Sequence, residues 1–186
     1  NIGNVALMQE PVAAVMSVMQ KNKSEGIFLV YDLGGGTLDI SIAQSISGNV
    51  NLLAHGGIEM CGGRDFDRRL VDNFVYPWLH SNFDLPDNFV AMPKYSSLTR
   101  IVDWATEKAK INLSSQDEAN ISLSEGETRV QDEGGNEIYL DINITRESLN
   151  QIIEDKIKDS INVSKETLEK AGLTIHDIER IVFVVG

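Results

Sequence analysis

The sequence predicts an α/β core interrupted by an inserted α+β subdomain. Three observations lead there. Continuous and alternating apolar runs follow one another closely between Ile27 and Ala54, as in neighbouring strands. From Gly62-Gly63 onward the apolar spacing changes to every fourth residue. A long helical pattern and a wholly apolar run then close the chain. The expected core spans residues 1–61 and 144–186, and the inserted subdomain spans residues 62–143.

Residues 5–8 form a short apolar run that reads as a strand. Glu10 precedes Pro11, a residue suited to a helix start, and Val12, Val15, Met16 and Met19 continue the helical spacing. Residues 21–26 read as a loop. The unbroken apolar run at 27–31 is that of a buried central strand. Beyond three glycines, Leu38, Ile40 and Ile42 alternate with Thr37, Asp39 and Ser41, a strand period. Gly48-Asn49 signals a two-residue hairpin turn, and Val50, Leu52 and Ala54 alternate after it.

In the insert, Phe66, Leu70 and Phe74 mark one helix face, which Pro77 and the turn-rich stretch 84–93 are expected to interrupt. A second helix is expected over 98–114, followed by strands at 120–123 and 137–144 around a polar turn near Gly134-Gly135. Thr145 is placed to cap a helix carrying Leu149, Ile152, Ile153, Ile157, Ile161 and Leu168 largely on one face. Gly172 is its expected C-terminal cap, and residues 181–185 read as a buried strand. Both Trp78 and Trp104 are expected to pack within the insert.

Charge narrows the function. With 16 basic against 28 acidic residues the net charge is −12, a poor match for nucleic acid or anionic membrane. Any phosphate must be held by backbone N–H groups, a bound cation or a few placed lysines. Cys61 is the only cysteine, so neither a disulfide framework nor a thiolate metal cluster is available. His55, His80 and His176 lack metal-ligand spacing. The absence of an apolar run near ~18 residues gives a cytoplasmic expectation. The chain starts at Asn1 without Met and stops at Gly186 directly after an apolar run, which gives the expectation of a fragment.

The most informative stretch is Asp32-Leu33-Gly34-Gly35-Gly36-Thr37-Leu38-Asp39. Consecutive glycines expose backbone N–H groups and reach conformations closed to other residues, as a phosphate-cradling turn requires. The pattern matches neither the P-loop nor G-x-G-x-x-G, both of which open a helix. Here strand spacing resumes after the glycines, so the loop sits at the tip of a hairpin. Composition alone leaves open a plain glycine turn with two solvated aspartates.

A hairpin phosphate loop flanked by two aspartates resembles that of the actin-like ATPases and sugar kinases. Closer still, residues 27–42 resemble the second phosphate motif of the seventy-kilodalton heat-shock chaperones, the DnaK family. Gln9-Glu10-Pro11-Val12-Ala13-Ala14 is similar to that family's Asn-Glu-Pro-Thr-Ala-Ala. Gly62-Gly63-Arg64-Asp65-Phe66-Asp67 is similar to its Gly-Gly-Glu-Asp-Phe-Asp, and residues 107–114 match the bacterial form of its adenosine-contacting helix. Residues 181–186 resemble the strand entering its last nucleotide motif. The segments 76–99 and 115–135 match weakly.

The resemblance implies an actin-like, ribonuclease-H-like lobe of the second half of an ATPase domain. It implies that Glu10, Asp32 and Thr37 serve hydrolysis, with Glu10 and Asp32 holding the hydration shell of Mg2+ and orienting water. Asp39 would assist a monovalent cation such as K+. Gly34, Gly35, Gly36 and Thr37 would bind the phosphates of ATP or ADP. Glu107, Lys110 and Ser114, which share one stripe of a helix, would contact ribose and adenine, and Ile111 would lie against the base. Without the resemblance that stripe reads as a solvated face.

Departures from the family pattern are Val12 for threonine, Arg64 for glutamate, and Gly57-Ile58-Glu59 without the usual aspartate. The first phosphate loop, the catalytic lysine and the substrate-binding domain have no counterpart in these 186 residues, so the isolated chain is expected to be an incomplete ATPase. Implied partners are the other lobe of the domain, the substrate-binding domain, a J-domain co-chaperone and a nucleotide exchange factor. The rival readings are another actin-like ATPase such as a carbohydrate kinase, and a nucleotide-sensing or docking module that does not hydrolyse.

Overall fold

A computed structural model describes residues 8–22 and 25–185. The chain opens with α1 (Glu10–Asn22), β1 (Gly26–Leu33), β2 (Thr37–Ile46) and β3 (Asn49–Glu59). Then come α2 (Gly63–Leu70), α3 (Tyr76–Asn82) and α4 (Ser96–Asn112). β4 (Glu118–Leu123), α5 (Glu125–Thr128) and β5 (Leu140–Thr145) follow, and α6 (Arg146–Lys170) and β6 (Ile178–Val185) close the chain. The expected strand at 5–8 falls on residues outside those described, apart from Met8. Two compact units result, one of residues 1–63 and 156–186, the other of residues 64–155.

The first unit is built on a four-stranded sheet in the order β3-β2-β1-β6. β1, β2 and β3 pair antiparallel in succession, and β6 runs parallel to β1. Strand side chains alternate between faces. Phe28, Val30, Ala43 and Val182 therefore pack with Val15 of α1 on one face, while Leu29, Leu38, Ile40 and Ile42 pack with Cys61 and Leu168 of α6 on the other. Burial on both faces explains the unbroken apolar run of β1, and each such side chain contributes roughly 1.5–3 kcal/mol. Cys61 is buried within this unit.

Two local expectations shift. The β2–β3 turn is Ser47-Gly48, one residue earlier than Gly48-Asn49, and Asn49 pairs with Ile46. Both turn residues are left-handed, with φ of 50° and 80°, as a tight hairpin demands. The Ser47 N–H, 2.8 Å from a Glu25 carboxylate oxygen, holds the less suited residue there. On α6, Leu168 is buried, but Ile157 and Ile161 are exposed and line a groove of about 620 Å³ with Tyr31 and Phe183. The cap of α6 is as expected. Ala171 and Gly172 N–H groups donate to the carbonyls of Thr167 and Glu169, and Leu173 N–H to Leu168, with Gly172 at φ 70°.

In the second unit, α2, α3, α4 and the β4–β5 hairpin surround one core that includes Leu70, Val75, Phe89, Tyr95, Leu98, Val102 and Ile142. Pro77 does not interrupt the helix. Val71–Val75 form a π-turn in which Tyr76 N–H donates to Val71 O, and Pro77 falls in the first turn of α3, where its missing N–H costs little. The turn-rich stretch that follows forms two short 3-10 turns, Phe89–Ala91 and Pro93–Tyr95, which bury Phe89 and Tyr95. β5 starts at Leu140, later than expected; Glu137 makes only an isolated bridge to Gln131. The polar segment before it hides α5, whose Ser124 and Glu127 cap each other.

Thr145 caps α6 as expected, its hydroxyl accepting from Ser148 N–H at 3.0 Å while Ser148 Oγ accepts from Thr145 N–H. Trp78 packs against Phe83 and Tyr139, but Trp104 is 54% exposed, with the Lys108 ammonium over its ring.

Candidate nucleotide site

The glycine loop closes the β1–β2 hairpin beyond the Leu33–Leu38 pair, with Gly34 N–H donating to Thr37 O at 2.9 Å. Its backbone rests on Gly62-Gly63. Gly63 N–H donates to Gly34 O at 3.0 Å. A Cβ on Gly62 would lie 2.5 Å from Gly36 N and 2.6 Å from Gly34 O, so only glycine lets the two backbones meet. The sequence shows the glycine triplet and the Gly62-Gly63 pair, but not that one supports the other. Their separation along the chain carries no signal of the contact.

Acidic side chains flank this loop. Asp32 and Asp39 stand directly opposite each other in the antiparallel pair. Burial, then the Glu10 carboxylate at the start of α1, then Asp39 push the Asp32 carboxyl above its ordinary value. Like charges opposed across a ladder destabilise it, and a cation beside them would relieve that repulsion. Gly57 faces Asp39 across β2–β3, and a Cβ there would lie 3.2 Å from Asp39 Oδ1. Among the described residues no three Asp, Glu, His or Cys groups converge to ligate a metal directly. The arrangement fits a hydrated cation held through water, and the exposed Thr37 hydroxyl stands beside it at the loop's end.

In the second unit, Leu98, Val102, Ala105, Ala109 and Leu113 of the α4 region face the core. Glu107, Ile111 and Ser114 are exposed on the other side, and Ile111 leaves 59% of its surface to solvent. Ser114 lies in the turn after the helix, its hydroxyl donating to Ile111 O at 2.6 Å. Lys110 is held differently from its neighbours. Its Nζ is 2.8 Å from Asp67 Oδ1, tying α4 to α2. Nothing in the stripe pattern foretold this partner, because the two residues lie on separate helices.

The structure thus gathers Glu10, Asp32, Gly34, Gly35, Gly36, Thr37 and Asp39 within the first unit. Glu107, Lys110, Ile111 and Ser114 lie together within the second. A sheet with a glycine hairpin at its tip and helices on both faces is the lobe of an actin-like, ribonuclease-H-like ATPase fold. Residues 3–186 match the family model described as Hsp70 protein. The chain is also similar to the chaperone protein DnaK of Carsonella ruddii (strain PV), 33% identical over 97% of this chain and 29% of that relative's length. The chain belongs to the Hsp70 family. That membership sets aside the carbohydrate-kinase reading.

Proposed function

We propose that the chain supplies part of the ATP-binding and ATP-hydrolysing domain of a DnaK-type chaperone, in which nucleotide state controls client peptide binding. The observation that carries this reading is the glycine hairpin braced by Gly62-Gly63 and flanked by the carboxylates of Glu10, Asp32 and Asp39. On this reading the core subdomain expected at residues 1–61 and 144–186 is the unit of residues 1–63 and 156–186, so that residues 144–155, expected in the core, go with the inserted subdomain.

Backbone N–H groups of Gly34, Gly35 and Gly36, with the Thr37 hydroxyl, take the β- and γ-phosphates. Glu10 and Asp32 hold the water shell of Mg2+ and orient the attacking water, and Asp39 draws a monovalent cation such as K+. Mg2+ held there by Glu10 and Asp32 through water would supply charge neutralisation at the phosphate oxygens. The remaining work is positioning, which a fixed loop and fixed carboxylates do without reorganising. Glu107, Lys110 and Ser114 contact ribose and adenine, and the exposed Ile111 is covered by the base.

The chain spans 29% of the DnaK relative's length. Its partners on this reading are the other lobe of the domain, the substrate-binding domain, a J-domain co-chaperone and a nucleotide exchange factor. Alone it binds nucleotide weakly and does not turn over, since half the contacts and the preorganisation they give are missing. Among the described residues no helix is long and apolar enough to cross a membrane.

Replacing Asp32 with Asn in the full-length protein tests the assignment. ATP hydrolysis is expected to fall by about a hundredfold or more, the range of a lost general base or water-orienting group. An unchanged single-turnover rate would remove Asp32 from the mechanism.

A further inference from the structure

We propose that Asp67 is a positioning residue for nucleotide binding, holding the Lys110 ammonium in place on α4 before the adenosine arrives. The proposal rests on the reading of α4 given above and adds to it a residue on a different helix.

Three observations support it. The first is geometric. Lys110 Nζ and Asp67 Oδ1 are 2.8 Å apart, with 18% and 15% of their side chains exposed, so water screens the pair only weakly. The second is location. Asp67 and Glu107 line the same cleft of about 490 Å³, together with Asp103 and Trp104. Arg64 and Arg68 line it as well, so Asp67 stands at an open recess rimmed by charged side chains beside the proposed contact Glu107, and not inside the apolar core. The third is mutual dependence. Burial pushes the Asp67 carboxyl up, and Glu107 and Asp103 push it the same way, while the hydrogen bond and charge of Lys110 pull it down. The ammonium offsets part of the burial penalty on the carboxylate, and the carboxylate in turn fixes the end of the lysine chain.

The contrast with the neighbouring ion pair is instructive. Arg68 and Asp72, one turn apart, are 64% and 47% exposed, and such a pair adds little. Asp67 instead reaches across to the residue that the nucleotide is proposed to use. A lysine stem is among the side chains that lose most freedom on being fixed. Fixing it during folding removes that cost from binding.

The test is a set of full-length variants, Asp67→Asn, Lys110→Ala and the two combined, each checked by thermal melting. Each is titrated with Mg-ADP and assayed for single-turnover hydrolysis at saturating ATP. Asp67→Asn is expected to weaken Mg-ADP about tenfold, the worth of one charge-assisted contact, with the saturated hydrolysis rate unchanged. The combined variant is expected to be no weaker than Lys110→Ala. Wild-type affinity in Asp67→Asn, or additive losses in the pair, would overturn the proposal. Wild-type affinity in Lys110→Ala would instead overturn the adenosine reading of α4. Should Asp67→Asn fail to fold, the charge swap Asp67→Lys with Lys110→Asp keeps the ion pair. It should melt normally yet bind weakly, and restored affinity would reduce the pair to a helix staple.

Discussion

The two sets of candidate residues are made of different material. In the first unit the glycine loop is nearly all backbone: three glycines in a hairpin tip, resting on two more. In the second, the proposed adenosine contacts are side chains on and just beyond a helix whose opposite face is core. A backbone site is damaged by adding atoms, because nothing can rotate out of the way. A side-chain site is damaged by removing them, and its scaffold survives. Hence substitutions in the glycine loop and its Gly62-Gly63 floor should disturb fold and binding together, whereas those at exposed positions of α4 should separate the two.

The sharpest way to break this comparison is Gly62→Ala. The added Cβ meets loop backbone on three atoms within 2.6 Å, so the loop or the start of α2 must shift. Overpacking of this kind costs about 1–3 kcal/mol, seen as a lower melting temperature, and Mg-ADP binding should fall below detection by calorimetry. Normal binding by this variant would show that the loop does not depend on its glycine floor.

Ile111→Ala should do the reverse. With 59% of the residue exposed, stability should stay within about 0.5 kcal/mol of wild type. Affinity for Mg-ADP should drop by a few-fold, from the loss of roughly 25 cal/mol for each Å² of apolar surface the base covers. A loss of stability with no loss of affinity would place Ile111 in the scaffold.

The smallest expected effect concerns Asp32 without nucleotide. Its carboxyl is raised in the folded chain, so the folded state holds its proton more tightly than the unfolded state. The ionised form is therefore penalised on folding. That penalty is absent below the ordinary carboxylate value of 3.8, grows as pH rises toward the raised folded value, and is complete above it. Asp32→Asn should accordingly raise the melting temperature at neutral pH, by about 0.2–1 kcal/mol of stability for one opposed charge pair, and should change it little under acid conditions. Salt should shrink the difference. Lower stability at neutral pH would mean that Asp32 has an unseen partner. The gain in stability set beside the proposed loss of hydrolysis is the usual tension at an active site.

Much of the fold could be read in advance because its signals are local. The period-two runs of β2 and β3, the doubly buried run of β1, and the caps of α6 at Thr145 and Gly172 each reflect forces acting within a few residues. The misplacements were local as well, wherever two rules competed. At Ser47-Gly48 the Glu25 carboxylate, accepting from Ser47 N–H, holds a left-handed serine in the turn in place of the more favourable Gly-Asn pair. At Pro77 the π-turn before it placed the proline in a first turn, so the helix continued. The exposed Trp104, Ile157 and Ile161 show the limit of apolar pattern, which reports what could be buried and not what is.

By itself the sequence determined the strand and helix order, the glycine hairpin with its flanking aspartates, and the exposed Glu107 and Ile111 opposite the core face of α4, while Ser114, expected on the same helix, lies in the turn beyond Asn112. Each depends on chain-local geometry: the period of a strand, the freedom of glycine, the pitch of a helix. Only the tertiary structure decided that Gly62-Gly63 lies under the phosphate loop and that Asp67 holds Lys110. Both are contacts between segments far apart in the chain. Spacing along a sequence carries no record of such contacts, because they form only when packing brings the backbones together.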